Sequence, residues 1–270
     1  MNDLFGPIEP THYISLSGGL GSGVSALAAH HYGIPFRMIF ADTLVEDGDL
    51  YRFNRDIAEA VGQPIVTRVD GRTPYEVFVD RKFIGNSRTA HCSDILKTLQ
   101  VRKWLAENNI PITDPLVLGM DWFEQDRIER AIINWKPRPV VSLLNRFKIA
   151  RKDHAAWLKR YGIDQPRLYD QGFPHNNCGG GCVRAGLKQW ATLLERNPKR
   201  FAVHEKSLND AMAKIGPTAK PFLKRTVKGE AEYMTLTTFR QYVEAGTIEI
   251  DPYDFGGCAC FVDENPEIAA

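Results

Sequence analysis

The sequence predicts an α/β chain, a doubly wound, mostly parallel sheet with helices on both faces, followed by a mainly helical C-terminal extension. Three observations predict it. Short apolar runs alternate with helical periodicity through the first two thirds of the chain. A glycine-rich turn, "SLSGGLGSG" (15–23), stands between the first apolar run and the first helical stretch. Beyond residue 183 the texture becomes helical and rich in Lys and Arg, and it ends in the cysteine-bearing tail "FGGCACFVDENPEIAA".

Taken in order, "YISL" (13–16) reads as a strand, "VSALAAHHY" (24–32) as a helix and "FRMIF" (36–40) as the next strand. Leu50, Phe53, Ile57 and Val61 recur at helical spacing. "PIVTRV" (64–69) is a further strand, and Ile95, Leu96, Leu99, Val101, Trp104 and Leu105 place a helix over 94–108. "PLVLG" (115–119) is a buried strand followed by a helix near 125–134. "VVSLL" (140–144) and a helix around 152–161 complete the alternation, which implies a parallel sheet. "VRAGLKQWATLLERNP" is a helix stopped by Asn197-Pro198. The expected organisation is a nucleotide-binding α/β domain over 1–195 and an extension over 196–270.

Bulk properties narrow the class. The chain has 270 residues, 43% hydrophobic and 25% charged, enough apolar material for a substantial core. Its formal net charge of +1 argues neither for nor against nucleic acid, because a neutral total can hide a basic face. No apolar run reaches membrane-spanning length, and "MNDLFGPIEP" carries no secretion signal, so a cytoplasmic protein without a membrane partner is expected. Five cysteines in such a chain do not read as a disulfide framework.

The glycine turn fails two common motifs at one residue. A Walker loop requires Lys, and a dinucleotide fingerprint requires Gly or Ala, where this chain has Val24. The physical logic of an anion site survives. Gly18, Gly19, Gly21 and Gly23 let the backbone turn sharply and bring N–H groups near an anion. Ser17, Ser22 and Ser25 add hydroxyls, and the following helix offers its positive end. The bland alternative is a tight turn that binds nothing.

Five stretches in order then carry a resemblance: "SLSGGLGS", "IFADTLVEDGDLYRFNRDIAEAVG", "HCSDILKTLQVRKWL", "LVLGMDWFEQDRIERA" and "LYDQGFPHNNCGGGC". Together they resemble the pyrophosphate-loop (PP-loop) ATP pyrophosphatases and their relatives the phosphoadenosine phosphosulfate (PAPS) reductases, proteins of the adenine nucleotide alpha-hydrolase-like fold. The resemblance covers roughly residues 10–195. It implies a nucleotide held by Ser15, Ser17, Gly18, Gly19, Gly21, Ser22, Asp42, Thr43 and Gly119. Asp42 alone reads equally as a turn or cap residue. It also implies Lys97 and Arg127 as phosphate or substrate contacts, with Glu124 orienting Arg127; a solvated helical face is the duller account of Lys97. In the family loop an acidic residue precedes the final serine, and here that position is Gly21, so magnesium handling and pyrophosphate release turn on it. The C-terminal Glu-Cys-Gly-Leu-His ending of the reductases is absent.

The cysteines form the second signal. Cys178 and Cys182 flank three glycines, which read as a device beyond packing, leaving both sulfurs able to face one centre and backbone N–H groups able to bond cluster sulfides. Cys258-Ala259-Cys260 follows two further glycines. The resemblance favours a [4Fe–4S] cluster on Cys92, Cys178, Cys182 and one of the last pair, here Cys258, leaving Cys260 as the nucleophile or persulfide carrier. A four-thiol zinc site and independent buried thiols are the alternatives. His91 and His175, beside these motifs, read as ligands, supporting donors or turn polar groups.

Three functions follow. A PAPS reductase-like enzyme would let a cysteine thiolate attack the sulfur of a sulfonucleotide, and a thiol reductant would then release sulfite. An ATP-dependent sulfurtransferase would adenylate a tRNA or DNA acceptor and take sulfur from a donor protein. A non-enzymatic module would bind nucleotide or nucleic acid, with the basic segment 196–233 and its Phe201, Phe222 and Tyr233 as contacts. A solvated surface is the alternative reading of that segment.

Overall fold

The computed structural model describes residues 10–257. In chain order its elements begin β1 (His12–Ser15), α1 (Leu20–His31), β2 (Phe36–Asp42), α2 (Gly48–Val61), β3 (Ile65–Val69) and α3 (Pro74–Asp80). Next come α4 (His91–Ser93), a π-helical turn (Asp94–Thr98), α5 (Leu99–Glu107), β4 (Leu116–Val117), α6 (Gln125–Asn134), β5 (Val140–Val141), α7 (Leu143–Arg146) and α8 (His154–Arg160). The chain closes with α9 (Arg167–Asp170), α10 (Leu187–Arg196), α11 (Pro198–Ile215), β6 (Leu223–Val227), β7 (Glu230–Met234) and α12 (Leu236–Glu244). No helix among the described residues is long and apolar enough to cross a membrane.

The chain is an α/β protein. Its main sheet has the order β3-β2-β1-β4-β5, and β1 runs parallel to β2 and β4, as β4 does to β5. The register is set by pairs such as Ile14 with Met38 and with Val117. These residues are fully buried, which is why the strands read as continuous apolar runs rather than as alternation. The strand order reverses between β1 and β4, and in such sheets the crevice at the carboxyl ends of those two strands is where ligands bind.

The described chain falls into two compact units. One comprises 10–41, 49–68 and 101–166; the other comprises 42–48, 69–100 and 167–257. Neither ends near residue 195, where the texture of the sequence shifts; that position lies inside α10. The first unit packs Leu27, Val24, Phe53, Ile57 and Leu144 around the sheet. The second centres on Trp190, Phe201, Phe78 and Phe239. Its C-terminal part is helical over α11 and α12, and it also carries the antiparallel hairpin β6–β7, with Leu223 opposite Met234.

Two local departures from the sequence pattern have clear causes. The apolar run 140–144 is strand only at Val140–Val141, because the Ser142 hydroxyl accepts the Asn145 N–H at 3.2 Å and caps α7. The helix expected over 94–108 is interrupted by the π-helical turn Asp94–Thr98, which contains Lys97.

Candidate functional site

In the first unit, β1 ends at Ser15 and the chain turns through Gly18, at φ +73°, into α1. A Cβ on Gly18 would lie 2.2 Å from Leu50 Cγ, and one on Gly23 would lie 2.6 Å from Phe53 Cζ, so α2 packs directly onto the glycine loop. The Ser22 hydroxyl donates to the Gly19 carbonyl at 2.9 Å and accepts the Ser17 N–H at 3.1 Å, locking the turn. Ser17 Oγ and Ser22 Oγ lie 3.1 Å apart. Ser25, read from sequence as an anion donor, is fully buried and donates to the Gly21 carbonyl at 2.8 Å, so it braces the helix and does not serve a ligand. No side chain among the described residues caps α1, and its first turn holds no acidic residue. The positive end of a 12-residue helix thus sits behind the loop, at the reversal of the strand order.

Gly119, just after β4, meets this loop backbone to backbone. A Cβ on Gly21 would lie 2.3 Å from the Gly119 carbonyl oxygen, and one on Gly119 would lie 2.2 Å from the Ser22 nitrogen. Neither position has room for a side chain. The carboxylate that the PP-loop pattern places at position 21 is therefore sterically excluded.

Further along the same unit, Asp121 caps the turn before α6, accepting the Phe123 N–H at 2.9 Å. Glu124 reaches back to the Asp121 N–H at 3.3 Å and pairs with the Arg127 guanidinium. Arg127 is partly exposed, with its Nε buried and unbonded among the described residues.

The second unit gathers the remaining residues around Glu46, which the sequence reading did not single out. Asp42 accepts the Leu44 N–H at 2.8 Å, holding Leu44 at φ +64° and turning the chain after β2. The Thr43 hydroxyl donates to Glu46 Oε1 at 2.9 Å, and Lys97 Nζ lies 3.3 Å from that same oxygen. Glu46 Oε2 accepts the Cys178 N–H at 2.7 Å. Lys97 is only 5% exposed, so the solvated-face account of it fails. Next to this pair, the buried Asp47 carboxylate holds Arg167 through two contacts of 2.9 Å.

Cys92, Cys178 and Cys182 are thiols, with no disulfide among them. The Arg184 N–H donates to Cys182 Sγ at 3.4 Å. Hydrogen bonding to the Cys182 sulfur, removal from water and the Glu46 charge push the Cys178 thiol well above its ordinary range, against the pull of Lys97. All three sulfurs lie within electrostatic reach of the Tyr75 phenol. Burial first, and then Cys178, raise that phenol strongly.

The three glycines between Cys178 and Cys182 have a packing cause, contrary to the sequence expectation. A Cβ on Gly179 would fall 2.0 Å from Arg200 Nη2, one on Gly180 would fall 2.8 Å from Phe173 Cε1, and one on Gly181 would fall 2.4 Å from the His204 ring. Arg200 in turn donates to the Val45 and Glu46 carbonyls, tying α11 to the Glu46 turn. His204 Nδ1 is hydrogen-bonded to the Tyr75 hydroxyl, and burial, with Arg200 nearby, lowers its pKa to about 3. Nothing in the local sequence announced these partners, because Arg200 and His204 sit in a stretch whose texture reads as solvent-facing helix.

Cys258 and Cys260 lie outside the described residues. Among the described residues no three His, Cys, Asp or Glu side chains are placed to hold one metal ion.

A solved structure has a similar fold. It is the phosphoadenylyl-sulfate (PAPS) reductase of Candida auris in a phosphate complex, with a TM-score of 0.45 and 17% identity, the match covering 61% of this chain and 79% of that one. No protein-family model and no curated protein matches the chain.

Proposed function

We propose that this chain is a nucleotide-dependent enzyme of sulfur chemistry resembling the sulfonucleotide reductases, and that its glycine loop holds the phosphates of an adenine nucleotide without cleaving them. One observation carries the choice of branch. The backbone contact between Gly21 and Gly119 removes the space for the carboxylate that a pyrophosphate-releasing loop carries. The loop keeps what phosphate binding needs, namely backbone N–H groups, a helix end and a reversal of strand order above it.

In this reading Ser15, Ser17, Gly18, Gly19, Gly21, Ser22 and Gly119 form the phosphate cradle, and Asp42 and Thr43 position the nucleoside. Arg127, oriented by Glu124, takes an oxygen pair of phosphate or sulfate. Lys97, paired with Glu46, supplies a buried cation for the substrate's anionic group. A Cys260 thiolate attacks the sulfur of the sulfonucleotide, forming an S–S bond as the S–O bond to the nucleotide phosphate breaks. A thiol reductant then attacks the cysteine sulfur, and sulfite leaves with the electron pair.

A [4Fe–4S] cluster on Cys92, Cys178, Cys182 and Cys258, with zinc as the alternative metal, belongs to the same proposal. The described thiols do not by themselves complete a ligand group, and no step is assigned to the cluster. Iron and acid-labile sulfide analysis of anaerobically purified protein tests it; one zinc per chain and no iron would defeat it.

The activity is tested with a sulfonucleotide and a dithiol. Sulfite release that is lost in Cys260→Ser, with nucleotide binding retained, is the expected result. Pyrophosphate release from ATP that depends on added tRNA or DNA would overturn the reductase reading in favour of thiolation.

A further inference from the structure

The second unit contains a cavity of about 620 Å³ that neither the nucleotide loop nor the Glu46 cluster uses. Buried apolar side chains, Ile84, Val183 and Leu223, line its inner part. Four cations line it at exposed positions, Lys82 and Arg88 from the segment after α3, and Lys220 and Lys224 from the approach to β6 and from β6 itself. None of these four forms an ion pair among the described residues. A fifth cation, Arg184, is buried and donates to the Ser87 carbonyl at 3.0 Å. The one carboxylate in the lining, Asp254, accepts the Leu187 N–H at 2.9 Å and is thereby engaged. Tyr233 stands 57% exposed in the lining.

We infer that this cavity binds single-stranded polynucleotide, with backbone phosphates on Lys82, Arg88, Lys220 and Lys224 and a base stacked on Tyr233. The distribution of charge decides the class. A mononucleotide concentrates its charge on one phosphate group, which calls for cations converging at one point inside the site. Here the cations without an ion pair among the described residues are at exposed positions, and the buried lining is apolar apart from Arg184, already engaged with Ser87, so the ligand must spread its charges and offer flat apolar rings between them. A chain +1 overall keeps this patch because carboxylates elsewhere offset it. The aromatics of the basic segment sort accordingly: Phe201 is fully buried in the core, Phe222 packs 5.6 Å from Trp190, and Tyr233 alone of the three is exposed.

The test is fluorescence polarisation with labelled 12-nucleotide single-stranded DNA and RNA oligomers, which also identifies the preferred sugar. Four phosphate contacts predict an affinity that falls about 50-fold between 50 and 200 mM salt. The variant Lys82→Ala/Arg88→Ala/Lys220→Ala/Lys224→Ala should lose most of that salt dependence, and Tyr233→Ala should weaken binding about tenfold. The charge-keeping set Lys82→Arg/Arg88→Lys/Lys220→Arg/Lys224→Arg should bind like the parent, and a parental urea-unfolding midpoint for the four-alanine variant excludes a folding defect. No binding at 50 mM salt, unchanged binding by the four-alanine variant, tighter binding of duplex, or full displacement by millimolar ATP would overturn the inference. None of these residues belongs to the glycine loop or the thiol cluster, so sulfonucleotide reduction can fail while this binding stands, and the reverse.

Discussion

The carbonyl oxygen of Gly119 lies 2.3 Å from where a Cβ on Gly21 would sit. Two strands' following loops therefore touch through bare backbone at the point where the sheet's order reverses, and each glycine is required by the other.

Gly21→Asp, the change that would rebuild the PP-loop pattern, should not create a pyrophosphate-releasing enzyme. The new Cβ meets a backbone atom that cannot swing aside, and overpacking of that kind costs about 1–3 kcal/mol. Gly21→Ala should show the same loss in urea unfolding, with weakened nucleotide binding. Magnesium-dependent pyrophosphate release by the Asp variant at parental stability would refute the steric account.

Glu46→Gln should be among the most damaging single substitutions in the second unit. It takes from the Lys97 ammonium, only 5% exposed, the carboxylate with which it pairs, and breaking a buried pair costs about 3–5 kcal/mol. Glu46→Gln combined with Lys97→Met should recover much of the stability, since both buried charges are then gone, while abolishing any activity that needs the cation. Chemical denaturation of the two variants and the pair measures the coupling.

Gly181→Ala forces a methyl group to within 2.4 Å of the His204 ring, which is boxed in by Trp190 at 5.7 Å and by Tyr75 at 6.1 Å. A loss of about 1–3 kcal/mol is expected. His204→Ala opens that space, so the double variant should be more stable than additivity allows. Strict additivity would show that the glycine serves something other than this contact.

Acid should weaken the second unit through His204. Its pKa in the fold, about 3, lies below the ordinary histidine value, so unfolding takes up a proton. The contribution is complete above about pH 6.5 and is lost as pH falls toward 3. Between pH 7 and 5 this one group removes about 2 kcal/mol. His154, lowered by burial in the first unit, acts in the same direction. Urea unfolding of His204→Gln against the parent at the two pH values isolates the share of His204, and equal pH slopes would remove it from the account.

The sheet and the glycine loop were legible because burial leaves a periodic trace. Short apolar runs mark Ile14 and Phe40 as strand residues, helical spacing marks Leu50, Phe53 and Ile57, and all five are buried. Glu46 was not legible: as one of four acidic residues in "DTLVEDGD" it looks like part of a polar turn, and its partners Lys97 and Cys178 are distant in sequence. The roles of Arg200 and His204 were hidden for the same reason, since periodicity predicts a helix without saying which cation on it reaches a buried carbonyl. The glycines between the cysteines stand out in the sequence, but their cause lies in side chains supplied by the turn after α9 and by α11.

The π-helical turn at Asp94–Thr98 has a consequence for how this chain tolerates change in length. A π turn accommodates one residue more than an α turn, so deleting any single residue there would let the segment close as ordinary helix. Because the wide turn absorbs the extra residue locally, the residues before it, Cys92 included, would keep their facing after such a deletion. A chain one residue shorter in this stretch would therefore keep its cysteine beside Tyr75, so a difference in length here changes the turn that carries Lys97 and leaves the thiol in place.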